Sequence, residues 1–322
     1  MPGRPVRCQT ESGQGSMPKK QELEIDGRKI PVSNLDKALY PATGFTKGQV
    51  IDYYIRVAPV MLPHLKDRPV TLVRYPDGVA GEHFYEKNAP AFTPQWVKTF
   101  PVLRRTGESP IRYIVINNLA TLVWCANLAS LEFHPFLHRV PAIDTPATMV
   151  FDLDPGVGID ILKCAEVAIL LKETLQRLKL TSFPKVTGSK GIQLFVPLNT
   201  KVTYAATHTF ARELAERMER EHPELLISKM RKAARAGKVF IDWSQNSDFK
   251  TTVCIYSLRA KHERPYVSLP VTWEELQRAL KSGDSGPLYF EPEAALKRVK
   301  KTGDLFNPVL GLKQKLPRSP VT

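Results

Sequence analysis

Two aspartates, Asp152 and Asp154, close the apolar run MVFDLDPG, and a third, Asp242, closes a second such run in KVFIDWSQN. In a β-strand residues i and i+2 share a face, so the Asp152 and Asp154 carboxylates emerge side by side while Phe151 and Leu153 turn to the core. Parallel carboxylates repel. They stay ionised where a cation compensates them, and an all-oxygen set suits Mg2+ or Mn2+. The acid pair alone fits a solvated strand end before a Pro-Gly turn equally well; the third acid shifts the reading. Three carboxylates on neighbouring strands are what a two-metal phosphoryl-transfer site requires. Between them in sequence lies VTGSKGIQLFV. Its Gly188 and Gly191 let backbone amides turn toward an anion, and Thr187, Ser189 and Lys190 offer hydroxyl and ammonium donors. The loop lacks the Walker spacing and is a weak signal by itself.

The partner class follows from charge. The 322 residues carry a formal net charge of +14, which favours a polyanion, nucleic acid first, because neutralised phosphates release counterions. The cysteines Cys8, Cys125, Cys164 and Cys254 are scattered without a CxxC pair, so neither zinc nor a disulfide framework is implied and a reducing compartment is expected. The N-terminus MPGRPVRCQTESGQGSMPKK lacks a signal-peptide apolar region, and no apolar run approaches a membrane span, so the expected location is cytoplasmic with no membrane partner.

Strands and helices must position these groups. Thr46 and Gln49 stand at capping-box spacing before a helix with Val50, Ile51, Tyr54, Ile55 and Ala58 on one face. RPVTLVRYPDGVAGEHFYEK reads as a hairpin around PDG, and IRYIVIN and ATMVFDLD as apolar strands. DILKCAEVAILLKETLQRLKL is helical, FPKVTGSKGIQLFVPL is strand, loop, strand, and YAATHTFARELAERMEREHPELL is again helical. GKVFIDWS and TTVCIYSLRA read as two more strands, and VTWEELQRALKSG as a helix capped by Thr272 and Glu275 and ended by Gly283. The fold class is therefore mixed α/β, one catalytic domain over 21–313 with two packed β-sheet lobes flanked by helices. Residues 1–20 and 314–322 are expected to be tails.

Rival motifs fail. An EF-hand loop from Asp152 would need glycine and an acid where the chain has Val157 and Lys163. EFHPFLH holds no HExxH, so His138 is expected to be a surface or structural histidine. SKMRKAARAGK reads as a cationic helix, either lining a DNA face or simply solvated.

The ordered motifs MVFDLDPG, VTGSKGIQLFVPL and VFIDWSQN…YSLRAK, with SNLDKALYPATGFTKGQVIDYY, RPVTLVRYPDG and HFYEK, resemble the polymerase domain of bacterial ligase D, of the archaeo-eukaryotic primase superfamily. The resemblance covers roughly residues 30 to 313. It implies a template-dependent nucleotidyltransferase that fills short gaps or joins ends in non-homologous end joining, with Asp152, Asp154 and Asp242 holding two Mn2+ or Mg2+ ions. It places Thr187, Ser189, Lys190, Gln193, Arg259 and Lys261 at the triphosphate. His134, in the family's LExHP-like segment, the aromatic pair Phe84 and Tyr85, and Arg74 are assigned to the nucleotide. Asn34, Lys37 and Lys47 fall where the family grips a 5′-phosphate beyond a gap. The implied partners are gapped, nicked or broken DNA, nucleoside triphosphates with ribonucleotides among them, a DNA ligase and an end-binding protein, and the implied location is at the nucleoid.

Three positions depart from the family pattern: Gln193 replaces a histidine, Thr187 a serine and Lys261 an arginine. Gln193 donates a hydrogen bond but carries no charge, and Lys261 keeps the charge without the bidentate fork. The alternative is a non-catalytic module for DNA ends or gaps with a degenerate nucleotide site. A haloacid-dehalogenase-type phosphatase is disfavoured, since Gly156 stands where that class has Thr or Val. EIDG has Glu24 where an adenylated lysine would stand, so no ligase motif is present.

Overall fold

The computed structural model describes residues 21–103, 107 and 109–320; the expected N-terminal tail lies outside them. Two antiparallel-rich sheets form the centre. The first contains β1 (Pro69–Arg74), β2 (Phe84–Glu86), β3 (Thr99–Val102), β4 (Ile111–Val115) and β5 (Ser130–Pro135). Its β1 pairs with β2, β4 and β5, and β3 pairs with β4. The hairpin read around PDG is the β1–β2 pair, with Arg74 opposite Phe84. The second contains β6 (Thr148–Pro155), β7 (Phe183–Val186), β8 (Ile192–Pro197), β9 (Leu226–Ile227), β10 (Val239–Asp242) and β11 (Leu269–Pro270). Its order is β9-β10-β6-β8-β7-β11, antiparallel except for β9 with β10.

The helices are α1 (Lys47–Leu65), α2 (Leu119–Asn127), α3 (Ile161–Arg177), α4 (Tyr204–Glu221), α5 (Trp273–Ser282) and α6 (Pro292–Thr302). Both expected capping boxes form, at Thr46 with Gln49 and at Thr272 with Glu275, and Gly283 ends α5 in the left-handed conformation. Helix α1 couples the sheets: Tyr54 donates its hydroxyl to Leu131 O in β5 (2.6 Å) and accepts from Leu258 N (3.0 Å), and Tyr53 donates to Tyr256 O (2.7 Å). One buried apolar cluster reaches from Ile25 to Val309 through both sheets. Because no layer separates the lobes, side chains facing each other across them can build one cleft.

Three expectations change. TTVCIYSLRA is buried as its apolar pattern implies, yet forms no strand. Thr252 N and Cys254 N donate to Pro135 O and Phe133 O of β5, whereas Tyr256 N donates to Ser268 O and Arg259 N to Tyr266 O. Its amides are divided between two partners and Tyr256 reverses the chain at φ +67°, so no continuous ladder forms. SKMRKAARAGK contains a single 3-10 turn, Lys232–Ala234, instead of a helix; it has no apolar stripe to bury, and its end is pinned by Gly237 N to Val157 O and Gly156 N to Lys238 O. The expected tail after 313 is anchored, because Gln314 Nε2 donates to Thr181 O (3.0 Å) and Pro197 O (2.8 Å) while its Oε1 accepts from Thr181 N (2.7 Å). No helix among the described residues is long and apolar enough to cross a membrane.

Candidate active site

The cleft is organised by strand register. On the catalytic sheet Asp242 of β10 lies opposite Asp152 of β6, Asp152 lies opposite Gln193 of β8, and Gln193 lies opposite Lys185 of β7. Directly paired residues share a face, so these four form one row across the sheet, with Asp154 two residues beyond Asp152 on the same side. Burial pushes the Asp152 carboxyl well above the carboxylate range, and Asp154 and Asp242 push it further, against a hydrogen bond from Gln193 and the charge of Lys185. Asp154 is exposed, yet desolvation by the surrounding protein and repulsion from Asp242 raise its pKa too. Asp152 Oδ1 is buried without a partner. Asp242 is braced separately: Oδ1 accepts from Ser244 N (2.9 Å) and from the Ser244 hydroxyl, and Lys250 stands 3.7 Å from Oδ2. Among the described residues no three His, Cys, Asp or Glu side chains already converge on one point as a metal cage. The crowded all-oxygen donors and the orphaned buried Oδ1 nevertheless fit a hard divalent cation, whose arrival would relieve the repulsion.

The glycine loop closes the cleft beside the acids. Gly188 adopts φ +66°, and a Cβ there would stand 2.7 Å from the Val267 carbonyl. A Cβ on Gly191 would stand 2.3 Å from Leu153 O, in the strand that carries both acids. Thr187 is a staple rather than a free donor: its hydroxyl donates to Gly191 O (3.0 Å) and accepts from Ser189 N and Gly191 N (both 3.2 Å). Ser189 and Lys190 line the cleft, of about 370 Å³, with Asp152, Asp154, Gln193 and Arg259.

Arg259 enters from the segment between the lobes. It donates to Thr187 O (2.8 Å) and stands 3.3 Å from Glu132 Oε2. Glu132 also accepts from Ala260 N (2.9 Å) and lies 2.8 Å from His134 Nε2. Burial alone would raise the Glu132 carboxyl, but Arg259 and His134 hold it far below the usual range. Burial lowers His134, against its bond to Glu132. The sequence reading missed Glu132, although it stands two residues before His134 and so on its strand face. It also missed Arg235, whose guanidinium lies 3.5 Å over Phe240, lines the cleft and lowers the Asp154 pKa; nothing in its local sequence distinguishes it.

The structure separates residues that the sequence grouped. Tyr85 stands 6.5 Å from His134, ring to ring, on the cleft side. Phe84 points to the opposite sheet face, under Arg74 at 5.0 Å. Arg74 in turn donates to Leu128 O (2.8 Å) and Glu86 (2.9 Å), so it is a brace for Phe84. Lys261 leaves the acid cleft and lines an adjacent groove of about 910 Å³ with Pro41, Ala42 and His262.

Asn34, Lys37 and Lys47 gather at the start of α1. Asn34 takes φ +54° and its carbonyl accepts from Lys37 N (3.0 Å). Lys37 pairs with Asp77 at 2.8 Å, and buried Lys47 donates to Ser33 O at 2.7 Å. Burial, with Lys37 and Arg74 nearby, lowers the Lys47 ammonium to about 8.

A mixed α/β domain with paired strand-borne acids beside a glycine loop suits metal-assisted phosphoryl transfer. Residues 46–306 match the family model for the LigD primase-polymerase domain, and the chain belongs to that family, a class of metal-dependent nucleotidyltransferase. It is 40% identical over 283 residues to the multifunctional non-homologous end joining protein LigD of Mycolicibacterium smegmatis, covering 87% of this chain and 36% of that protein. The bifunctional LigD of Bacillus subtilis is 35% identical over 86% of this chain and 44% of its own length. The chain thus spans less than half the length of these relatives. The solved polymerase domain from Mycobacterium tuberculosis ligase D, in complex with DNA, superposes with a TM-score of 0.80 at 38% identity, covering 87% of this chain and 98% of that one.

Proposed function

We propose that this chain is a template-dependent primase-polymerase that adds nucleotides across short gaps or at broken ends in DNA end joining. The observation that carries the reading is the register pair Asp152–Asp242, with Asp154 alongside and the Gly188–Gly191 loop packed against the strand behind them. Two divalent ions, Mn2+ or Mg2+, held by Asp152, Asp154 and Asp242 would supply Lewis-acid stabilisation of charge at the transferring phosphorus. Arg259 and Lys190 neutralise the triphosphate of the bound nucleotide, ribonucleotides included. Glu132 fixes the direction of Arg259 and His134, and Tyr85 offers a face on which any base can stack. Asn34, Lys37 and Lys47 receive the 5′-phosphate of the downstream strand, and a DNA ligase and an end-binding protein complete the repair.

Extension of a gapped primer-template, with ribonucleotides and deoxyribonucleotides and with Mn2+ and Mg2+ in turn, tests the reading. Addition that requires both a template and a divalent metal is expected. DNA binding without addition under every combination would leave a DNA-end binding module instead.

A further inference from the structure

Behind the acids lies a buried cation that the reaction as described does not use. Lys185 is fully buried, and among the described residues it forms no ion pair; its ammonium donates to Ser268 Oγ at 2.6 Å and lies 5.6 Å from the Phe195 ring. A buried ammonium with one neutral acceptor retains unspent donors. Its neighbour in register, Gln193, has the complementary deficit. It stands beside Asp152 in register and acts to hold that carboxyl's pKa down, while its Oε1 is buried without a partner. The row therefore reads ammonium, carboxamide, carboxylate.

A carboxamide can turn end for end. With its oxygen toward Asp152 it would repel the carboxylate, and with its N–H toward Asp152 it restrains one oxygen and leaves Oδ1 for a cation. We propose that Lys185 is a positioning residue that selects the second orientation: its positive charge holds the Gln193 oxygen on its own side and thereby fixes Asp152 for metal. The inference rests on the reading of Asp152 as a metal ligand. It assigns work to Lys185 that a bare positive charge would do with the opposite sign, since a cation near the site opposes a second cation unless it acts through the amide.

That difference in sign makes a double-mutant cycle decisive. Mn2+ binding to the free protein, followed by the loss of the free-ion electron paramagnetic resonance signal, is measured for wild type, Lys185→Met, Gln193→Leu and the double variant, with a thermal melt of each. In the native background Lys185→Met is expected to weaken Mn2+ binding about tenfold, corresponding to about 1.4 kcal/mol. In the Gln193→Leu background the same change should leave affinity unchanged or strengthen it. Ser268→Ala, which keeps the lysine and frees its ammonium, should stay within about twofold of wild type. Equal effects of Lys185→Met in both backgrounds would overturn the inference, as would a loss in Ser268→Ala matching that of Lys185→Met. A wild-type protein that binds no Mn2+ and extends no primer would sink the metal reading itself, and this inference with it; one that binds Mn2+ without coupling between Lys185 and Gln193 would sink only this inference.

Discussion

In the proposed function the acidic cleft and the basic corner at the start of α1 meet the same chemical group, phosphate, from opposite electrostatic starting points. In the cleft, burial and mutual repulsion raise Asp152 and Asp154, so the free site favours holding protons over bare charge, and added cations would have to take the protons' place before it receives a polyphosphate. In the corner, Lys47 is lowered by burial and by Lys37 and Arg74, so the protein carries its own excess positive charge and requires only the anion. On that proposal a metal would relieve the electrostatic cost in the first region and a terminal phosphate that in the second. On the proposed function, metal would govern the cleft and the state of the DNA end would govern the corner.

The largest expected effect is in the cleft. Asp152→Ala or Asp242→Ala should lower nucleotide addition by on the order of 10²–10³ or more, since the electrostatic stabilisation of the transferring phosphate goes with the cation. Gel-shift affinity for DNA should hold or rise, because repulsion toward phosphate falls. Extension at the wild-type rate by either variant would remove these acids from the chemistry and end the contrast between the two regions.

Next comes the corner. Lys37→Ala with Lys47→Ala should erase discrimination between 5′-phosphorylated and 5′-hydroxyl gaps. Each charge-assisted bond is worth about 1.5–3 kcal/mol, so a preference of tenfold or more in wild type should fall to near unity. Extension on an open primer-template lacking a downstream strand should stay near wild type. A preference that survives in competition binding would leave the lysines as surface charge.

The smallest effect is a pH dependence confined to the corner. Lys47 falls to about 8 in the folded protein, against about 10.4 in an unfolded chain. Its charge in the free protein is present below about 8 and lost above it, so the 5′-phosphate preference should decline severalfold as pH rises through that value. The stability sign is opposite. Between the two values the unfolded chain binds more protons, so this residue makes stability rise with pH over that window and contributes least below it. Lys47→Met should flatten both trends in binding and in denaturant melts; a wild-type 5′-phosphate preference that stays constant across this range would show that Lys47 does not meet the phosphate.

Much of this was legible because it is local. The capping boxes at Thr46 and Thr272 and the strand that places Asp152 and Asp154 on one face depend on residues a few positions apart, and the sequence determined them through backbone periodicity and hydrogen-bond geometry. Tertiary structure decided the rest. Whether Asp242 would face Asp152 depended on which strand β10 chose as its neighbour and in what register, a pairing across 90 residues that no local pattern encodes. The same holds for Phe84 and Tyr85, adjacent in sequence and sent to opposite sheet faces by strand alternation, and for TTVCIYSLRA, whose apolar run promised a ladder that two competing partners divided. Glu132, Arg235 and Lys185 became visible only once Arg259, Phe240 and Gln193 were beside them, because a charged side chain acquires its role from the groups it faces, and those are set by the fold.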